Sequence, residues 1–258
     1  METFNVPIIP LQVFLIVLSR VGGLVTFAPF WSHKSVSPKI RLVLAAVLSF
    51  ALTPLVLTKI PPPPESIYPF SLVLVGELVI GLILGFTGKL IFTGFEFAAY
   101  FLGSQMGFSL AGTIDPSNQS QTTAFGIIGQ MLALMVLLGM DGHHWFLAAT
   151  VKSFSLTSPG SFALNGQVLD IFLRLSANAL VVGVTLAAPA IIVLISIEFA
   201  LEFFGRTAPQ FQVFILGFPI KIAVGLWIIG ASVYFMPNAF KNVLVGLLHN
   251  LGGVMGVM

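Results

Sequence analysis

From Leu175 to Ile197 the chain runs without a single Asp, Glu, Lys or Arg, and Thr122–Met140 does the same. A helix needs about 20 consecutive apolar residues to cross a bilayer. Soluble domains, with about 25% of their residues charged, rarely spare such runs. Here only 8% of 258 residues are charged, 57% are hydrophobic and the mean hydropathy is +1.04. The chain therefore reads as an all-α integral membrane protein. A net charge of +2 is too small to argue for a nucleic-acid partner, and the absence of cysteine excludes disulfides, thiolate metal sites and cysteine nucleophiles. The start, Met1-Glu2-Thr3 with Pro7 and Pro10 close behind, lacks the basic opening and cleavage site of a signal peptide, so the first apolar block is expected to be retained.

About six apolar segments follow one another. Ile8–Phe30 is long enough to span and contains Arg20. Trp31–Arg41 carries Lys34, Lys39 and Arg41 and is the best candidate for a cytoplasmic loop. Leu42–Thr58 is short and interrupted by Pro54, and Pro61–Pro64 forms a stiff connector. In Ser71–Tyr100, Glu77, Gly81, Gly85 and Lys89 recur every four residues, on a face that drifts by about 40° per step. Small residues on such a face admit another backbone. Asp141-Gly142 breaks the chain before a short amphipathic helix that Ser158-Pro159-Gly160 ends. Val168–Phe204 is the longest block, with Pro189 expected to kink it. Gly205–Gln210 is a tight break before Phe211–Phe235, where Lys221 stands alone. With Trp31–Arg41 and Gly205–Gln210 on the cytoplasmic side, both chain ends fall outside.

The least helix-like stretch is Gly103–Gln121, with three glycines, Pro116, one charge at Asp115 and a run of Ser, Thr, Asn and Gln. Gly107 and Gly112 permit turns, and Pro116 biases Asp115 away from helix. Met106, Phe108, Leu110 and Ile114 place apolar bulk between them. The stretch reads either as a solvated connector or as a loop folded into a pore, since irregular backbone at membrane depth must be buried in protein or line a cavity.

Nine of the twenty charges stand within or at the ends of apolar blocks: Arg20, Glu77, Lys89, Glu96, Asp170, Arg174, Glu198, Glu202 and Lys221. Each costs about 2.5–3.5 kcal/mol at the bilayer centre on insertion scales, so they should face protein or water. Pairing, within the chain or across a subunit boundary, suits the balance of signs better than a proton pathway does. The one tempting metal cluster is Asp141-Gly142-His143-His144. Neighbouring helical residues point about 100° apart, so a capped helix start with Asp141 as N-cap is the expected reading and no metal or cofactor is assigned. No phosphate loop and no paired carboxylates suited to acid–base work are present, and no enzyme is read.

Phe203–Gly225, with Arg206, Pro209-Gln210, Val213-Phe214, Gly217-Phe218-Pro219, Lys221 and Gly225, resembles the C-terminal signature of the FliR family of flagellar and virulence type III secretion. Gly107-Phe108-Ser109 with Asp115-Pro116, Gly142-His143-His144 with Ser153-Phe154 and Pro159, and Arg20, Pro29, Pro38 and Arg41 agree with it. The resemblance covers essentially the whole chain. It implies a subunit of a helical, hetero-oligomeric export gate, built with FliP-like and FliQ-like subunits beside an FlhB-like one, through which unfolded substrates pass. Residues 1–165 would be the FliP-like part and 166–258 the FliQ-like hairpin of one 258-residue membrane domain. The gate would sit in the bacterial inner membrane at the flagellar basal body, partly raised to the periplasmic side.

In that family's pattern, residues 103–121 plug the closed pore, which gives Met106, Gly107, Phe108, Leu110, Gly112, Ile114, Asp115 and Pro116 that role. Arg20, Glu77, Lys89, Arg206 and Lys221 become candidate subunit-interface charges. Arg206, Pro209 and Gln210 become either a hairpin tip or a plain helix break. The alternative from another class is a small secondary transporter using Glu77, Glu198 and Lys221 at a midplane site.

Overall fold

The computed structural model describes residues 8–33, 36–57, 59–108, 124–161, 166–207, 217–232, 234–235 and 237–238. Among these there are helices and no strand. They are α1 (Ile8–Phe27), α2 (Pro38–Val56), α3 (Ile67–Gln105), α4 (Ala124–Gly139), α5 (Gly142–Leu156) and α6 (Gly166–Thr207), followed by α7 (Gly217–Ser232). With α4 and α5 taken as one bent pair, these are the six expected apolar segments. Among the described residues, four helices are long and apolar enough to cross a membrane, or five if the bent pair counts as one span. The sixth expected segment, Phe211–Phe235, begins outside the described residues, and α7 is its described part.

Local chemistry sets the helix ends. Ser37 caps α2 by accepting the Ile40 N–H, and a proline opens the first turn. Pro54 falls in the last turn of α2, and the helix runs on to Val56. The four prolines Pro61–Pro64 hold the chain out of helix before α3. Helix α6 passes through Pro189 as one element. At a rise of 1.5 Å per residue, the 39 residues of α3 and 42 of α6 reach about 58 Å and 63 Å. Both are about twice the 30 Å of bilayer hydrocarbon.

The chain forms two compact units that alternate along the sequence. The first draws on described parts of Met1–Leu90 and Asp141–Leu175. In it, Val13, Ile16, Val17, Val21 and Val25 of α1 pack with Ala45, Leu52 and Val56 of α2 and Phe154 of α5. Helices α1 and α3 run parallel and nearly backbone to backbone. A Cβ at Gly81 would strike the Arg20 carbonyl, one at Gly85 would lie 2.5 Å from the Leu24 carbonyl oxygen, and one at Gly23 would lie 2.5 Å from that of Leu78. Only glycine permits this approach, and in a membrane such contact replaces water exclusion as the force joining helices.

The second unit draws on Ile91–Met140 and Ser176–Val243. Leu102, Met106, Ala190 and Leu194 form its centre, with Phe108, Ile222, Val224, Ile228 and Ile229 packed on it. Helix α7 returns antiparallel along α6: Gly217 meets Leu201 and Lys221 meets Glu198, so one number rises as the other falls. A cleft of about 400 Å³, lined by Phe95, Leu102, Leu132, Leu186, Pro189 and Ile228 among others, lies in this unit.

Candidate pore-closing segment and buried charge network

The stretch expected to leave helix at Gly103 stays helical through Gln105. The helix then stops in a defined way. The Phe108 N–H donates to the Gly103 carbonyl at 3.1 Å and the Gly107 N–H donates to the Ser104 carbonyl at 3.1 Å. This is the two-bond cap of a Schellman motif, and it requires a left-handed residue at the position of Gly107. Gly107 has φ +90°, and a Cβ there would strike the Phe218 ring on α7. Phe108, the residue after the cap, joins the cluster that contains Leu102, the hydrophobic closure this motif favours. Met106 is fully buried, and the nearest approach to a Cβ at Gly225 is its Sδ and Cε at 2.6 Å. Met106, Gly107 and Phe108 thus form a fixed root on the second unit. Leu110, Gly112, Ile114, Asp115 and Pro116 lie outside the described residues.

In the first unit Arg20 is fully buried inside α1, and Glu77 on α3 is fully buried against it. The Arg20 Nε–H donates to Glu77 Oε2 at 2.6 Å, and Nη2 lies 2.6 Å from the same oxygen. Nη1 donates to Ser153 Oγ at 2.8 Å and Nη2 to the Thr157 carbonyl at 3.3 Å. The ring of Phe154 lies beneath the guanidinium, 3.8 Å from its carbon to the centroid. The three nitrogens of one side chain thereby join α1 and α3 to the end of α5. Glu77 Oε1 is buried without a hydrogen-bond partner among the described residues.

The other named charges are less enclosed. Lys89 is exposed, with Nζ 5.9 Å from the Phe27 ring centroid. Three steps of about 40° carry it some 120° round α3 from Glu77. Lys221 Nζ lies 2.8 Å from Glu198 Oε1, with the side chains 14% and 46% exposed. Arg206 is exposed in the last turn of α6. Pro209 and Gln210 lie outside the described residues. Glu198 and Lys221 thus meet each other, while the Glu77 carboxylate is held by Arg20.

The Asp141 break differs from expectation. Asp141 holds the N-cap position of α5, but its backbone is left-handed (φ 56°, ψ 29°) and its side chain makes no capping bond. Instead its carbonyl accepts the His144 N–H at 2.9 Å. A bend of 68° between α4 and α5 is made within this short break, and a left-handed residue makes so sharp a turn. Asp141, His143 and His144 do bring three ligand-type atoms within 4.8 Å of one another, with Asp141 and His144 exposed.

Together these features define a class: an all-α integral membrane protein with two helices longer than a bilayer span, cut by polar turns and joined by a buried ion pair. Residues 11–246 match the family described as "Bacterial export proteins, family 1", and the chain belongs to it. It is 31% identical to the flagellar biosynthetic protein FliR of Escherichia coli over 83% of this chain and 81% of that protein. It is 30% identical to the FliR of Bacillus subtilis over 95% and 96% of the two chains. The Yop proteins translocation protein T of Yersinia pestis matches at 28% identity over 66% of each. The family read from Arg206, Gly217-Phe218-Pro219 and Lys221 is the one matched.

Proposed function

We propose that this chain is the FliR-type subunit of a flagellar type III export gate. In this reading it assembles with FliP-like and FliQ-like subunits, stands beside an FlhB-like one, and forms with them the channel for unfolded substrates. In this reading the FliP-like part is residues 1–165 and the FliQ-like part 166–258. The observation that carries the reading is the length of α3 and α6, 39 and 42 residues. Helices about twice the hydrocarbon thickness suit an assembly that stands partly out of the membrane on the periplasmic side.

Within it, residues 103–121 close the resting pore. Met106, Gly107 and Phe108 fix the root of the plug, and Leu110, Gly112, Ile114, Asp115 and Pro116 form its body. Lys89, Arg206 and Lys221 hold neighbouring subunits, with Arg206, Pro209 and Gln210 as the tip of the last hairpin. Deleting residues 110–116 is expected to raise ion leakage through the assembled complex in vesicles while leaving its composition intact. Unchanged conductance in a correctly assembled complex removes the plug. Lys221→Glu is expected to lower the yield of that complex, and an unchanged yield removes the interface role of Lys221.

A further inference from the structure

The turn at Asp141 brings together side chains that a regular helix keeps apart. Neighbouring helical residues point about 100° from each other. Here the backbone of Asp141 is left-handed, and the rings of His143 and His144 lie with centroids 4.2 Å apart and planes 38° apart. Asp141 Oδ1 lies 3.7 Å from His144 Nδ1. One carboxylate oxygen and one nitrogen of each ring fall within 4.8 Å of one another. The carboxylate is not spent on the helix end, because it makes no capping bond.

A second observation is independent of this grouping. His143 Nδ1 is buried and has no hydrogen-bond partner among the described residues. Nearly all buried polar atoms in folded proteins have one. An unpartnered imidazole lone pair can be satisfied by a proton or by a metal ion. The ring is held in place by Phe30, which packs edge-on with centroids 6.3 Å apart. Asp141 and His144 have side chains 74% and 67% exposed, free to swing toward it. Zinc sites set nitrogen and oxygen donors about 2.0–2.2 Å from the ion, hence about 3.3 Å from each other, so the group need close by no more than about 1.5 Å. The positive end of α5 opposes a cation, and the Asp141 carboxylate offsets it. Two imidazoles with one carboxylate suit zinc and its transition-metal neighbours, whereas magnesium and calcium take oxygen ligands.

We propose that Asp141, His143 and His144 bind one zinc-class divalent ion at the first turn of α5, with water completing its shell. The inference does not rest on the export-gate reading, because it concerns a single turn of this chain. The test uses the full chain in detergent, purified with a tag that contains no histidine, and Zn2+ as the probe. Titration against a competing chelator should give one equivalent per chain, held more tightly than any further zinc. Asp141→Asn and His144→Ala should each weaken that equivalent by about tenfold or more. Both side chains are exposed, and asparagine also accepts a left-handed backbone, so both variants should fold. X-ray absorption at the zinc edge needs no variant and should show two imidazoles in the first shell. The absence of a distinct equivalent, an equivalent that either substitution leaves at full strength, or a shell with fewer than two imidazoles overturns the proposal.

Discussion

Arg20 and Glu77, 57 residues apart in sequence, meet at 2.6 Å with neither side chain exposed. The pair sits one helical turn from Gly81, where the Arg20 carbonyl meets the α3 backbone. The close approach and the ion pair therefore depend on each other. The glycine lets α1 come near enough for a short, charge-assisted bond, and the bond satisfies a charge that could not otherwise stay there.

Removing one member of this pair should destabilise far more than removing both. Arg20→Met or Glu77→Leu alone leaves a buried unpaired charge and should cost about 3–5 kcal/mol. The double variant Arg20→Met/Glu77→Leu should recover most of that loss. Thermal unfolding of the detergent-extracted assembly, run as a double-mutant cycle, gives the coupling. Independent, additive losses would show that the pair is not a unit.

Neighbouring glycines in α1 should respond in opposite ways. A Cβ at Gly22 meets nothing within 4 Å, whereas one at Gly23 meets α3 backbone atoms at 2.5–2.9 Å. Gly22→Ala should therefore be neutral or stabilising by about 0.5–1 kcal/mol. Gly23→Ala should force α1 and α3 apart and lower the melting temperature of the same preparation. Equal effects at the two positions would contradict the described crossing.

Asp141 offers a backbone test. Its positive φ suits glycine and is poorly suited to a β-branched residue. Asp141→Gly should hold or raise stability, while Asp141→Val should lower it by about 1–2 kcal/mol. A side-chain cap would give a different result, because Asp141→Gly and Asp141→Val would then both lose the bond. The melting temperatures of the two variants decide between them.

Much of this arrangement was legible in the residues. The four-residue spacing of Glu77, Gly81 and Gly85 announced a face built for close approach, and the expense of Arg20 in an apolar block announced a buried partner. Which partner it had was not legible, because Glu77, Ser153 and Thr157 come together only when α1, α3 and α5 pack. Four-residue spacing sets Lys89 in the same series as Glu77, yet the accumulated drift of the helix carries it to an exposed position. The Schellman end of α3 had a signal that the glycine count hid: Gly107 followed by apolar Phe108, with apolar Leu102 six residues before it. The residue type of Asp141 suggests an N-cap. Its left-handed backbone follows from the 68° bend, which no local pattern encodes.

The most direct test of the export-gate account is native mass spectrometry of the tagged chain, expressed with its neighbouring genes and extracted in detergent. The account predicts a stable heteromer containing one copy of this chain with several copies of two other small membrane proteins. A monomer or homodimer that is extracted intact and transports a solute by itself would contradict it.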